Sequence, residues 1–475
     1  MPGAWPETPP TAADRVRYAE ATPAPYWTDA LPARDSLPTL SGSAEADLCI
    51  VGAGFTGLWA ALQAKAEDPG RAVVLLEADR AGAAASGRNG GFMDSSLTHG
   101  IGNGLARFES EMETLERLGS ENFAGLHADL ERYDIRCDFE QPGTLNVALE
   151  PHELAWLEEE AELLRRFGHE PELLDAEATR ALVASPTYLG AVLDRTDQAL
   201  VDPGRLGAGL LEAALAAGVR VHERSAVTGL RERGAGVEAA TAEGSVQTAR
   251  VLLATSAFPP LLRAIRRYIA PVYDYVLVTE PIPEDLRAQI GWRGRQGISD
   301  LGNQFHYYRL TADDRVLYGG YDAVYRYGGP VRPELDDHDA TFAKLSQHFA
   351  TTFPQLADLR FTHRWGGAID TCARFSVFFG TAHRGRVAYA VGYTGLGVAA
   401  SRFGARVALD LLAGRETEAT RLRYVRSKPF PFPPEPLRSA VIQLTRNRLA
   451  AADTKAGRRG LWLRTLDRLG LGFDS

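Results

Sequence analysis

The sequence predicts an α/β chain of two interleaved domains, one of them a Rossmann-type dinucleotide-binding domain. Three observations predict it. A short apolar run at 46–51 ends in glycines, passes into a helical pattern and is followed by a second apolar run at 72–77. Another apolar run leads into glycines and a helix far downstream, at 387–412. Between them, αβ-like stretches alternate with a β-rich stretch from 272 to 321, so each domain is assembled from several pieces of chain.

The elements follow in order. Residues 1–43 are rich in Pro, Ala and Ser without a sustained period. They read as an extended arm, either a disordered leader or a strap around the body. No basic stretch followed by an apolar one opens the chain, so no signal peptide is expected. The run from Ala46 to Val51 is a buried parallel strand, 56–65 a helix and 72–77 a second strand. Residues 105–180 are mostly helical in pattern, with a strand at 143–148. An Ala/Leu helix at 206–217 precedes strands at 219–222 and 250–255. In the β-rich stretch, 305–310 and 316–320 flank Thr311-Ala312-Asp313-Asp314, a hairpin signal. A helix is expected near 340–353, the last buried strand at 387–391 and a helix at 398–412. The segments 44–105, 200–257 and 360–415 group as the nucleotide domain, 106–199 and 258–359 as the second domain, and 416–475 as a C-terminal extension.

Composition narrows the function. The chain has 475 residues, 45% of them hydrophobic, enough for a large core. A formal net charge of −9 argues against a nucleic-acid partner. The three cysteines, Cys49, Cys137 and Cys372, form no CxxC pair and fit a reducing, cytoplasmic setting. No stretch reaches the roughly 20 apolar residues of a membrane-spanning helix. The tail differs: residues 421–475 hold 12 Lys/Arg and 4 Asp/Glu. Within it, 437–451 has apolar positions at helical spacing with Arg438, Arg446 and Arg448 on the polar side. That helix either docks peripherally on an interface or partner, or packs on the body with a solvated basic face.

Three glycine motifs carry the chemistry. In Gly52-Ala53-Gly54-Phe55-Thr56-Gly57, Gly52 permits a tight turn, Gly54 close approach of a pyrophosphate, and Gly57 close helix–strand packing. The helix N-terminus then faces the phosphates. Glu77, 20 residues after Gly57, stands where a carboxylate accepts hydrogen bonds from an adenosine ribose. NAD and FAD both use this arrangement. The loop Ala85-Ser86-Gly87-Arg88-Asn89-Gly90-Gly91 lets backbone pass close to a flat ring or a phosphate, unless it is simply a solvated glycine loop. Gly392-Tyr393-Thr394-Gly395-Leu396-Gly397 opens a second helix, whose dipole would meet negative charge on a bound ring.

Together these motifs resemble the D-amino-acid oxidase superfamily of FAD enzymes, over about residues 47–414. The segment 307–313, Leu317-Tyr318-Gly319-Gly320 and Arg364-Trp365-Gly366-Gly367 resemble its γ-glutamylputrescine oxidase-like amine oxidases. The resemblance implies a Rossmann-type FAD-binding domain interleaved with an α+β substrate domain containing a mixed β-sheet. Expected FAD contacts are Gly52, Gly54, Phe55, Thr56, Gly57, Glu77 and Ala78, then Ser86, Gly87, Arg88, Asn89, Gly90 and Gly91. They continue with Val227, Thr255, Gly392 and Gly397, and with Thr394, Gly395 and Leu396 beside the pyrimidine edge. The implied chemistry is hydride transfer to flavin N5 from the carbon next to an amine, hydrolysis of the imine, and reoxidation by O2 to give H2O2. Amines, amino acids and aminophosphonates are all candidate substrates. Two alternatives stand beside this: a dehydrogenase that passes electrons to a quinone or carrier protein, and a flavin-binding partner subunit without activity of its own.

The chain departs from the family's pattern at three points. Some relatives bind FAD through a cysteine, but Cys372 lies several residues from that place, so non-covalent FAD is expected. Ala399 stands where sarcosine oxidases grip a carboxylate with lysine. The four lysines, Lys65, Lys344, Lys428 and Lys455, all fall outside the β-rich stretch, which leaves O2 activation to another cation or to another acceptor. Substrate-side candidates are His306 and Tyr308 on one face of a strand, with Tyr307 and Arg309 on the other. Tyr321, Tyr325, Arg374 and Tyr393 join them, as do Met93, Asp94, Ser95 and His99 after the flavin loop. Aromatic residues suit an amine pocket and equally suit ordinary sheet packing. No metal-ligand cluster or Ser/His/Asp triad is evident.

Overall fold

The computed structural model describes residues 4–6 and 8–472, so the two ends of the arm and tail segments, and Glu7, lie outside the described residues. The first sheet runs in the order Phe378–Ala382, Val387–Val391, Gly244–Leu253, Gly42–Val51, Val73–Leu76, Arg220–His222. Gly42–Val51 pairs in parallel with Gly244–Leu253 and with Val73–Leu76. A parallel sheet is covered on both faces, so its strands read as unbroken apolar runs. Val73–Leu76 and Val387–Val391 are indeed buried throughout. Helix Phe55–Glu67 covers one face, with Pro203–Ala216 and Ala400–Ala413 beside it. Strands Gly229–Arg233 and Gly236–Ala240 extend Gly244–Leu253 as an antiparallel flap.

The second sheet has nine strands and is mixed. Its order is Val324–Tyr325, Ala270–Thr279, Val316–Gly320, His306–Leu310, Gly297–Asp300, Thr144–Ala148, Gly190–Asp194, Glu172–Asp175. Gly297–Asp300 and Thr144–Ala148 are parallel, and the other pairs are antiparallel. The hairpin expected around residues 311–315 is present. Helix Asp339–Thr352 covers the back of this sheet, and Tyr273, Tyr275, Tyr308, Tyr318, Phe342 and Phe349 fill the core between them.

One boundary moves. Phe361–Thr371, expected with the nucleotide segments from residue 360 onward, pairs along Ala270–Thr279 in the second sheet. The neighbouring glycine motif drew the boundary too early, whereas ten antiparallel pairs with Ala270–Thr279 fix the strand in the other domain.

The arm is a strap. Tyr18, Trp27 and Leu40 are each 2% exposed, which anchors it by burial. Thr22 bridges to His363. The buried Glu223 carboxylate accepts Leu37 N–H at 2.8 Å and Ala81 N–H at 2.8 Å, and also pairs with Arg34. The tail forms helices Leu437–Asp453 and Leu461–Arg468. Among the described residues, no helix is long and apolar enough to cross a membrane.

Candidate cofactor and active site

The first glycine turn is built as a cradle. Gly52 has φ +102°, and a Cβ there would strike the Ala254 carbonyl. A Cβ on Gly57 would run into the Gly52 carbonyl, which is why helix and strand can pack this closely. Helix Phe55–Glu67 starts at Gly54 without a side-chain cap at that position. Its Phe55 N–H meets only a hydroxyl, Ser86 Oγ at 2.9 Å. Such an end favours an anion through its N–H groups and dipole. Glu77 follows strand Val73–Leu76 and accepts from Ala53 N–H at 2.7 Å and Asp79 N–H at 3.0 Å, while Ala78 is exposed beside it. Burial raises the Glu77 carboxyl above its ordinary range, against the pull of those N–H groups. Val227 and Thr255 are half-buried along the same edge.

The loop at 85–91 is held from both sides. Asn89 Oδ1 accepts Gly91 N–H at 2.9 Å and its Nδ2 donates to Ser86 O at 2.9 Å, so the side chain folds its own loop. Trp27 Nε1 donates to Asn89 O and Trp365 Nε1 to Arg88 O, both at 2.9 Å. The Arg88 guanidinium bonds Gly366 O and the Asp336 carboxylate. A Cβ on Gly87 would meet Thr28 at 2.8 Å, one on Gly90 the Tyr307 ring at 2.7 Å, and one on Gly91 the Arg309 guanidinium at 2.6 Å. These glycines therefore allow the loop to lie flat against the second sheet. Arg309 is tied to Val201 O at 2.7 Å and lies over the Trp27 ring, and burial lowers its pKa to about 10.

The late turn closes the site. Gly392 N–H donates to Asp370 Oδ2 at 2.6 Å, and Cys372 N–H donates to Thr394 Oγ1 at 3.1 Å. Thr394 and Gly395 take positive φ, +56° and +96°, and Gly395, Leu396 and Gly397 retain exposure before helix Ala400–Ala413. Burial pushes Asp370 up to about 6, partly offset by the N–H groups of the turn. Cys372 is buried, with its Sγ between the carbonyls of Ser376 and Gly392. The glycine cradles, the carboxylate at the strand end and the open helix start fit the FAD that the resemblance implies.

The sheet turns the opposite face to this loop from the one expected. His306 and Tyr308 point to the back, into the core under Asp339–Thr352. His306 shares hydrogen bonds with Asp300 Oδ2 at 2.7 Å and His348 Nδ1 at 3.0 Å, and burial lowers its pKa to about 3. The Tyr308 hydroxyl meets that of Tyr188 at 2.9 Å. Tyr321 stacks on His306 on that same side, its ring centroid 5.0 Å away. Arg374 bonds the carbonyls of Ser376, Tyr424 and Ser427 and so staples the start of the tail. The Tyr393 hydroxyl accepts from Thr56 Oγ1 at 2.9 Å and joins the two glycine turns from behind. Tyr325 donates to Glu435 of the extension. Met93 and Ser95 are buried, Asp94 and His99 half-buried.

The face toward the loop carries Tyr307 and Asp274. Tyr307 Oη donates to Asp274 Oδ2 at 2.5 Å, and its ring lies between Gly90 and Gly319. Both residues are half-buried, whereas His306 and Tyr308 are 0% and 1% exposed. Burial pushes Asp274 up to about 6, with the Tyr307 hydroxyl and the Tyr275 and Gly320 N–H groups pulling it back. Asp274 escaped the sequence reading, although a lone carboxylate inside the run Val272–Thr279 was a signal. A carboxylate poised between its two forms can hold an ammonium or take its proton.

Comparison with known proteins places the chain in a family. A family model described as FAD dependent oxidoreductase (DAO) matches residues 47–411. The chain is 36% identical over 407 residues to the gamma-glutamylputrescine oxidoreductase of Escherichia coli (strain K12), covering 83% of this chain and 89% of that one. A probable oxidoreductase of Haemophilus influenzae is 29% identical over 401 residues, covering 82% and 88%. In fold the chain is similar to the glycine oxidase of Geobacillus kaustophilus, with TM-score 0.67, 17% identity and coverage of 81% and 99%. The L-proline dehydrogenase of P. horikoshii gives TM-score 0.64, 19% identity and coverage of 80% and 96%.

Proposed function

The chain belongs to the family of FAD-dependent oxidoreductases, and on that premise we propose that it oxidises the C–N bond of an amine or amino acid bound as a cation, aminophosphonates included. The observation that carries this reading is the Asp274–Tyr307 pair beside the Gly90–Gly91 loop. FAD, when bound, supplies a hydride acceptor at N5 for the carbon next to the nitrogen, and O2 takes the electrons on as H2O2. Asp274 attracts the substrate ammonium and accepts its proton at a carboxylate oxygen, so that the neutral amine is the form oxidised. Tyr307 holds that carboxylate in place through its hydroxyl. The imine released hydrolyses in water. The likeness to a gamma-glutamylputrescine oxidoreductase supports an amine. Arg88 and Arg309 are both occupied by protein partners, which favours an amine over a substrate gripped by its carboxylate.

FAD is held non-covalently in this reading, since Cys372 is enclosed by carbonyls. Acid precipitation should release the yellow cofactor. The three buried free cysteines support a cytoplasmic setting. A second reading concerns the acceptor alone, a quinone or carrier in place of O2. It is favoured by the lysines: Lys344 pairs with Asp322 behind the sheet, and Lys65 bonds Pro69 O and Arg71 O. A panel of amines and amino acids, read by H2O2 release and by flavin bleaching, tests both. Bleaching in anaerobic solution with sluggish recovery in air selects the second acceptor. Bound flavin that no amine bleaches assigns the chain as a partner subunit without its own activity. A peripheral contact through the basic tail belongs to the same picture.

A further inference from the structure

We propose that the two C-terminal helices form a docking face for an anionic phospholipid bilayer. The proposal is independent of the substrate. It starts from how the helices are attached. Asp453 accepts the backbone N–H groups of Asn303 at 3.0 Å and Gln304 at 3.1 Å. Glu435, just before the first helix, accepts the Tyr325 hydroxyl at 2.6 Å and Gly328 N–H at 3.0 Å. Trp462 Nε1 donates to Thr445 Oγ1 at 3.0 Å and joins the second helix to the first. Ala452 and Leu463 are the buried residues of the pair. The first helix is thus fixed to the body and the second to the first, and the other side of the pair is presented outward.

The outward side is not an ordinary solvated helix face. Leu437 is 61% exposed, Leu461 74% and Leu469 66%, with Leu444 at 37%. A helix that merely packs turns its leucines inward and its charges outward. Here Leu437, Ala440, Leu444 and Arg448 lie on one stripe at spacings of three and four, all exposed. Leu461, Arg464 and Arg468 repeat that spacing on the second helix.

The charges are of one sign. Among the described residues from 437 onward, the exposed ionisable side chains are Arg448, Lys455, Arg458, Arg464 and Arg468. The carboxylates of that stretch are engaged: Asp453 on residues 303 and 304, and Asp467 on Arg459 at 2.7 Å. This cationic face stands on a chain of net charge −9, so the positive charge is local to the tail. Arginines bond lipid phosphates while the leucines between them enter the acyl boundary, which is how interfacial helices bind. A second copy would bring like charges together, so self-association through this face is disfavoured. An acidic soluble protein would match the charge but would leave the most exposed leucines without a use.

The test is flotation of the flavin-loaded enzyme with phosphatidylcholine vesicles and with vesicles containing phosphatidylglycerol. The expected result is flotation with phosphatidylglycerol only, weakened by added salt. Arg448→Glu/Arg464→Glu/Arg468→Glu should lower partition about a hundredfold. Leu461→Ser/Leu469→Ser should lower it while the flavin spectrum and solution activity stay unchanged. Equal flotation with both vesicles, flotation with neither, or unchanged partition of the charge-reversed enzyme would overturn the proposal. So would a concentration-dependent dimer abolished by the leucine variant, which would assign the face to a second copy. An unfolded variant cannot imitate the expected result, because the flavin spectrum is followed in the same sample.

Discussion

At the scale of single residues, the proposed function rests on Asp274 and Tyr307. Asp274 is pushed up to about 6 by burial, and only its ionised form holds an ammonium. We therefore expect kcat/KM to rise with pH through about 6, and Asp274→Asn to remove that limb and cost about a hundredfold. Initial rates against pH for both enzymes check this. Tyr307→Phe removes one hydrogen bond to the carboxylate and should cost about tenfold in kcat/KM. Tyr308→Phe is the contrast. It breaks the contact with Tyr188 in the core, so it should cost about 1 kcal/mol of stability in denaturant melts and leave kcat unchanged. The alternation of residues 306–309 was legible in the sequence, but the direction each face points was not. Helix Asp339–Thr352 decides that, and it lies far along the chain. The same limit hid Arg374 and Tyr393, whose partners Tyr424 and Thr56 are remote in sequence.

At the scale of elements, the glycine turns are readable because their constraints are local. Gly52 and Gly57 serve one strand–helix unit, and their spacing states the geometry directly. The loop at 85–91 is local in shape but not in support: Trp27 comes from the arm and Trp365 from the second sheet. Gly90→Ala should force the loop off the Tyr307 ring, with an overpacking cost of about 1–3 kcal/mol. The expected outcome is a lower flavin-to-protein ratio after purification, and a full ratio would contradict it. The strand Phe361–Thr371 shows what local pattern misses, because its domain is set by a partner some ninety residues earlier, at Ala270–Thr279.

For the molecule as a whole, sheet order and the strap join the two domains. The sequence left the arm open between a disordered leader and a strap, since its order comes from pockets for Tyr18, Trp27 and Leu40 that other segments build. Within the second domain, His169 ties strand Gly190–Asp194 to helix Met112–Arg132. Its hydrogen bond to Asp194 and the nearby Glu116 carboxylate raise its pKa to about 9. A raised pKa stabilises the fold fully below the ordinary value of 6.5 and loses that contribution as pH rises through about 9. Thermal melts of His169→Gln should therefore fall below those of the parent at pH 6 and converge with them above pH 9.

The proposed reaction is the oxidation of an amine or amino acid with FAD. Its most direct measurement is the absorption of the purified protein, mixed without oxygen with amines, amino acids and aminophosphonates in turn. A yellow protein bleached by at least one cationic amine is the predicted result. A flavin left oxidised by every one of them, or a colourless protein that binds NAD, would contradict it.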